Sequence, residues 1–271
     1  MDAVLLLDAQ WFRLWPLQGA CRMGKPVFCA CSLERDDAHA DMLHQHVQES
    51  RLPVVMEMAP RFARATARLR SLFETELGAP RLLLCEVVHS RPARAGELSP
   101  VADLFGGAGI ALLDWCAELL GGEPVNVATR SLKPIGFSST FLEFAGGRGV
   151  QITRRHTVAH RSAAKKGTVP LRRGGQSPFS RSAVRLEVVA EHGSALVELP
   201  SEISWTTKEG FHSQTLRGQR PLAQSLLEHF REVLEGKAAR APTLEDAYRL
   251  LRWLRVAAQS LDEGRLLTFT T

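Results

Sequence analysis

The chain of 271 residues reads as an α/β protein: a partial, parallel unit of strands and helices comes first, and an α/β unit with a large, mainly antiparallel open sheet follows. Three observations carry this. Three short apolar runs, Ala3 to Leu7, Pro26 to Cys31 and Leu52 to Met56, are separated by segments of helical spacing. From Arg81 onward the pattern changes to longer runs of alternating polarity, broken by glycine-containing turns. Helical spacing then returns towards the C-terminus.

The three apolar runs have no polar alternation, so they read as parallel strands buried on both faces. Between them, Leu14 to Met23 ends at Gly24, and Leu33 to Ser50 places Ala38, Met42, Leu43 and Val47 on one face, giving the order βαβαβ. Arg61 to Leu77 reads as one further helix, with Phe62, Ala65, Leu69 and Leu72 on one side and Gly78 as its stop. These elements make up a first unit, residues 1–79. The second, residues 80–271, holds the alternating runs Leu82 to His89, Val125 to Ser131, Thr140 to Phe144, Val150 to Thr157, Val184 to Glu191 and Ala195 to Leu199. Two helices follow: Leu222 to Leu234 before Gly236, and Leu244 to Leu261 with Thr243 as N-cap, Asp246 at N3 and Gly264 past its end. Both are expected to cover one face of the large sheet. No internal repeat is present.

A composition of 45% hydrophobic and 23% charged residues is enough for a large core. The N-terminus carries Asp2 and no basic region, and its apolar run stops at Asp8, so neither a signal peptide nor a membrane span is expected. Five cysteines, an odd number in a long chain, point to core thiols in a reducing, cytoplasmic compartment. The net charge of +5 is local, because no Asp or Glu lies between Glu143 and Glu187 while ten Lys or Arg do. Without those ten, 24 basic residues stand against 29 acidic ones.

Several short motifs, in order along nearly the whole chain, resemble the Gfo/Idh/MocA family of oxidoreductases. They are Gly24-Lys25-Pro26-Val27-Phe28-Cys29; Pro60-Arg61-Phe62 with Glu76-Leu77-Gly78; Gly109 to Asp114 with Leu120-Gly121; and Pro242-Thr243-Leu244-Glu245-Asp246-Ala247 with Ser260-Leu261-Asp262-Glu263-Gly264. The resemblance implies a Rossmann domain followed by an α/β domain with an open sheet, in enzymes that oxidise or reduce sugars with NAD(P). In that plan Met1 corresponds to the start of the fourth Rossmann strand, and the first βαβ unit with the glycine fingerprint is not represented. That fingerprint lets backbone approach a pyrophosphate at a helix N-terminus.

The family's catalytic positions are altered too. Its Glu-Lys-Pro lysine falls on Cys31, and its Asp and His, four residues apart, fall on Gly107 and Ala111, while a further helical Asp remains as Asp114. Gly107-Ala108-Gly109 reads as a helix entry and Gly146-Gly147-Arg148-Gly149 as a hairpin turn, since neither has the strand-to-helix context of a phosphate cradle. Cys29 and Cys31 supply only half of a tetrahedral zinc set, and His39, His44 and His46 read as a solvated helix face, so no metal is expected. Hydrolase and nucleotide triphosphatase motifs are missing.

Together these features describe a diverged or non-catalytic oxidoreductase-like scaffold that acts through binding or oligomerisation, with no cofactor expected. Whether it is an enzyme stays open, with the balance against. Arg61 and Asp114 are the candidates for a small-molecule pocket. The basic insert, about residues 154–185, offers Arg154, Arg155, Lys165, Lys166, Arg172 and Arg173 as candidate anion-binding residues. An unpaired edge at Ala3 to Leu7 points to a homo-oligomer. Two alternatives remain: an NAD(P)-dependent sugar-type oxidoreductase whose N-terminal part is missing from this chain, and a polyanion-binding module built on the insert.

Overall fold

A computed structural model describes residues 2–7, 14–30, 33, 37–89, 104, 108–132, 136–156, 182–216, 221–237 and 241–269. Strands β1 (Val4–Leu6), β2 (Val27–Cys29) and β3 (Val54–Met56) form a parallel sheet in that order, with Val4 beside Val27 and Val27 beside Val54. Helices α1 (Trp15–Arg22) and α2 (Asp37–Ser50) connect them. The strand period splits the apolar residues between two faces. Val27, Cys29, Val54 and Met56 join the main core with Leu17 and Leu43, while Phe28 and Val55 enter a second, smaller one.

The single helix expected from Arg61 to Leu77 is broken into three. A 3-10 turn, Ala59–Phe62, is followed by Ala63 in extended conformation, then by α3 (Arg64–Leu72) and a π-helical turn, Phe73–Leu77. The break has a local cause. Pro60 brings no amide hydrogen, and its carbonyl accepts from the buried Thr66 Oγ1 at 2.7 Å and from the Ala63 N–H at 3.2 Å, which diverts it from the α-helical ladder. Gly78, at φ 71°, closes the segment as expected.

The large sheet has nine strands: β4 (Pro80–His89), β5 (Pro124–Leu132), β6 (Phe137–Phe144), β7 (Arg148–His156), β8 (Ser182–Ala190), β9 (Ser194–Glu198), β10 (Glu202–Thr207), β11 (Gly210–Thr215) and β12 (Leu267–Thr268). Their order is β11-β10-β9-β8-β4-β7-β6-β5-β12, antiparallel except for β4 with β7. Gly146 and Gly147, both at positive φ, turn β6 into β7 as the hairpin reading requires. Helices α4 (Gly109–Leu120), α5 (Leu222–Leu234) and α6 (Leu244–Glu263) complete the fold.

The two C-terminal helices separate. Helix α6 lies in the main core, its start fixed by the expected Thr243 and Asp246 capping box, an arrangement that contributes about 1 kcal/mol. It is also fixed to β3, where the Met56 N–H donates to the Pro242 carbonyl at 2.8 Å. Helix α5 instead puts Leu226 and Phe230 on Phe28 and Val55 of the small sheet, with the Phe28 and Phe230 rings 5.8 Å apart. The expectation that both cover the large sheet is therefore corrected: the second face of the parallel strands is apolar and requires its own cover. Helices α2 and α6 meet through polar groups. The Tyr248 hydroxyl donates to Asp41 at 2.6 Å, and His44 stacks on Tyr248 at 3.9 Å while bonding Glu245. His44 thus belongs to a helix interface and not to a solvated face. Among the described residues, no helix is long and apolar enough to cross a membrane.

Candidate functional site

In parallel sheets, ligands bind outside the C-terminal ends of the strands. The three connections leaving β1, β2 and β3 read Leu7 to Leu14, Ala30 to Asp37 and Glu57 to Ala63, and none contains a glycine. At the end of β3 stands Glu57, whose amide donates to the Cys29 carbonyl at 2.8 Å. Burial pushes its carboxyl above the usual carboxylate range. A carboxyl at the mouth and connections without glycine are the reverse of a pyrophosphate site, which needs backbone N–H groups at close approach and positive potential. The connections leaving these strands thus offer no glycine for close backbone approach, and Glu57 places a carboxyl beside them.

Next to this mouth, Arg61 reaches from the 3-10 turn to Asp114 on α4. Its Nε donates to Asp114 Oδ2 at 2.9 Å and its Nη2 to Oδ1, a two-pronged pair in which the aspartate side chain is 1% and the arginine 15% exposed. Burial raises the Asp114 carboxyl while Arg61 pulls it down. The two candidate pocket residues come together, bonded to each other through two prongs.

Helix α4 is anchored at its C-terminal end, and the chain ahead of it is held at Leu104. Near its start, the Ser138 hydroxyl donates to the Leu104 carbonyl at 2.9 Å; at its end, Arg148 donates to the Leu120 carbonyl at 2.6 Å. Its first turn holds Gly109, Ile110 and Ala111, with no acid and no side-chain cap at Ala108. Ala111 is half-buried and apolar. Cys31, Gly107, Lys165, Lys166, Arg172 and Arg173 lie outside the described residues. Arg154 and Arg155 do not form one patch, because adjacent strand residues point to opposite faces. Arg154 is 6% exposed, on the face with Val150 and Ile152, whereas Arg155 is exposed on the other face and pairs with Glu86 at 2.7 Å.

Cys21, Cys29, Cys85 and Cys116 are buried free thiols, as expected of core cysteines, and burial pushes Cys21 up to about 11. Sequence reasoning missed Glu57, although an acid directly after three apolar residues of a buried strand was a readable signal. It also missed that Cys85 and Cys116 touch, for which spacing offers no signal.

No family model matches the sequence, and no curated protein matches it. Solved structures do. The UDP-N-acetylglucosamine 3-dehydrogenase GnnA of Acidithiobacillus ferrooxidans superposes with TM-score 0.73 at 18% identity, over 97% of this chain and 79% of that one. An inositol dehydrogenase homologue of Azotobacter vinelandii, complexed with NADH and myo-inositol, gives 0.72 at 15%, over 99% and 78%. The aldose-aldose oxidoreductase of Caulobacter crescentus, complexed with glycerol, gives 0.74 at 16%, over 99% and 79%. These are Gfo/Idh/MocA-type oxidoreductases, and at such identities the likeness is one of fold.

Two substitutions test the site. Asp114→Ala leaves a buried guanidinium without its carboxylate and is expected to cost about 3–5 kcal/mol in chemical denaturation, most of it recovered in Arg61→Leu/Asp114→Leu; additive losses would mean that the pair is not the coupling. For Glu57, a raised folded-state carboxyl destabilises at high pH. The penalty is absent below the unfolded value and grows as pH rises through the folded one. Glu57→Gln should therefore melt higher than the parent at pH 7 and equally at pH 3.5, whereas a lower melting temperature at pH 7 would show that the ionised carboxylate is stabilising.

Proposed function

We propose that this chain, which has the fold of Gfo/Idh/MocA-type oxidoreductases, is a diverged, non-catalytic protein that works as a binding or oligomeric scaffold. The observation that carries the proposal is the state of α4. Its first turn presents Gly109, Ile110 and Ala111 where proton transfer would need a titratable group, and its buried acid, Asp114, is committed to Arg61. Glu57 at the strand ends supports the same reading, since a carboxyl there repels a pyrophosphate. The buried free thiols are in keeping with a cytoplasmic setting.

Strand β1 lies at the edge of its sheet, with Leu5 47% and Leu7 61% exposed beside it. An edge of this kind is covered by pairing, and a second copy of the chain is the proposed cover. Light scattering of the purified chain at micromolar concentration should report a dimer or larger species, and a strict monomer would count against self-association. Titration with NADH and NADPH, followed by ligand fluorescence, should show no saturable binding through the micromolar range. Saturation there would overturn the non-catalytic reading.

A further inference from the structure

Strand β11 forms one edge of the nine-stranded sheet, and its edge is unprotected. Edges are ordinarily blunted by shortness, by charged side chains, by proline or by a bulge. The six residues Gly210–Thr215 include no Lys, Arg, Asp, Glu or Pro, and their register with β10 runs unbroken from Thr207 with Gly210 to Glu202 with Thr215. The opposite edge, β12, is only two residues long. From Phe211 to Thr215 every residue of β11 is exposed, Phe211 to 70%.

The phase of the β10 and β11 hairpin fixes which backbone groups are open. The Leu216 N–H donates to the Ser201 carbonyl at 2.7 Å, so Leu216 bonds towards β10. Bonding direction alternates along an antiparallel strand, and Phe211, Ser213 and Thr215 therefore turn their N–H and C=O groups away from β10. The strand is also held from its other side chains. His212 stacks on Trp205 with ring centres 5.1 Å apart, and the Trp205 Nε1 donates to Glu76 Oε2 at 2.7 Å. Arg68 of α3 lies 5.0 Å from the centre of the Trp205 ring, and its Nε donates to Gln214 Oε1 at 3.2 Å. His212 and Gln214 thus take the α3 side of the sheet, and Phe211, Ser213 and Thr215 the other. A strand already ordered in this way loses little freedom when it pairs.

We infer that β11 pairs antiparallel with β11 of a second copy of this chain, about a two-fold axis at Ser213, and so joins two large sheets into one. That register sets Ser213 against Ser213 of the second copy and Phe211 against its Thr215, so the outward-bonding residues of both strands meet. A shift of one residue would set them against residues already bonded to β10. The pattern is self-complementary: at each end an aromatic ring meets a β-branched side chain, His212 comes opposite Gln214, and no like charges face each other. A second copy supplies this match by symmetry, which is why it is the occupant and not an unrelated strand. The contact is at a different edge from β1, and it depends neither on pairing there nor on whether the chain is catalytic.

Disulfide trapping of the full chain with oxidised glutathione tests it, with the parent chain as blank because Cys21, Cys29, Cys85 and Cys116 are buried. Opposed residues of a bonded antiparallel pair have Cα atoms about 5.5 Å apart, within disulfide reach. Ser213→Cys should therefore form a covalent dimer well above the blank. Phe211→Cys and Thr215→Cys should each stay monomeric on denaturing gels, since each lies about 13 Å along the strand from its own copy, and should cross-link when the two are mixed. Ser213→Pro removes an amide that points away from β10, so it should leave the melting temperature within a few degrees of the parent's. Added to the Phe211→Cys and Thr215→Cys chains, it should abolish their cross-link, whereas Leu5→Lys on β1 should leave the cross-link unchanged. The inference is overturned if Ser213→Cys gives no more dimer than the parent, or if Phe211→Cys alone cross-links as readily as the mixture. Survival of the cross-link in Ser213→Pro, or its loss in Leu5→Lys, would overturn it equally.

Discussion

The ion pair between Arg61 and Asp114 joins the turn that leaves the parallel sheet to the helix that crosses the large one. Removing one partner would strand a charge inside the fold, so the pair holds the two layers together more firmly than its net stabilisation alone implies. The pair fixes Asp114 in mid-helix while Arg148 holds the Leu120 carbonyl, which ties α4 to the 3-10 turn and to the start of β7. It also removes from circulation the acid that a proton-transfer reaction on α4 would use.

Strands β2 and β3 were legible because burial on both faces leaves uninterrupted apolar runs; β1 is an equally apolar run although its Leu5 is 47% exposed, and three such runs with helical spacing between them admit few other arrangements. The ends of α6 were legible because capping is local chemistry written in Thr243, Asp246 and Gly264. Strands β10 and β11 were not, since β11 is exposed along almost its whole length and so shows no alternation to read. The break after Pro60 depends on one hydroxyl, that of Thr66, finding a carbonyl six residues back. The destination of α5 depends on Phe28 and Val55 being uncovered, which is a long-range fact. In the site, Arg154 and Arg155 read as one basic run although the Val150 and Ile152 alternation already assigned them to opposite faces. Charge density masked strand parity.

The mouth of a doubly wound sheet normally gathers helix N-termini and glycine turns for an anion; here it holds Glu57 and connections without glycine. The likeness to dehydrogenase structures is one of scaffold, and scaffolds carry unrelated functions through the sites built on them. The chain has the layers of that scaffold, joined by the Arg61 and Asp114 ion pair.

A crystal structure of the chain grown with NAD+ tests the non-catalytic proposal most directly. The account predicts no dinucleotide along the ends of β1, β2 and β3. A dinucleotide ordered at those strand ends, with its pyrophosphate beside Glu57, would contradict it.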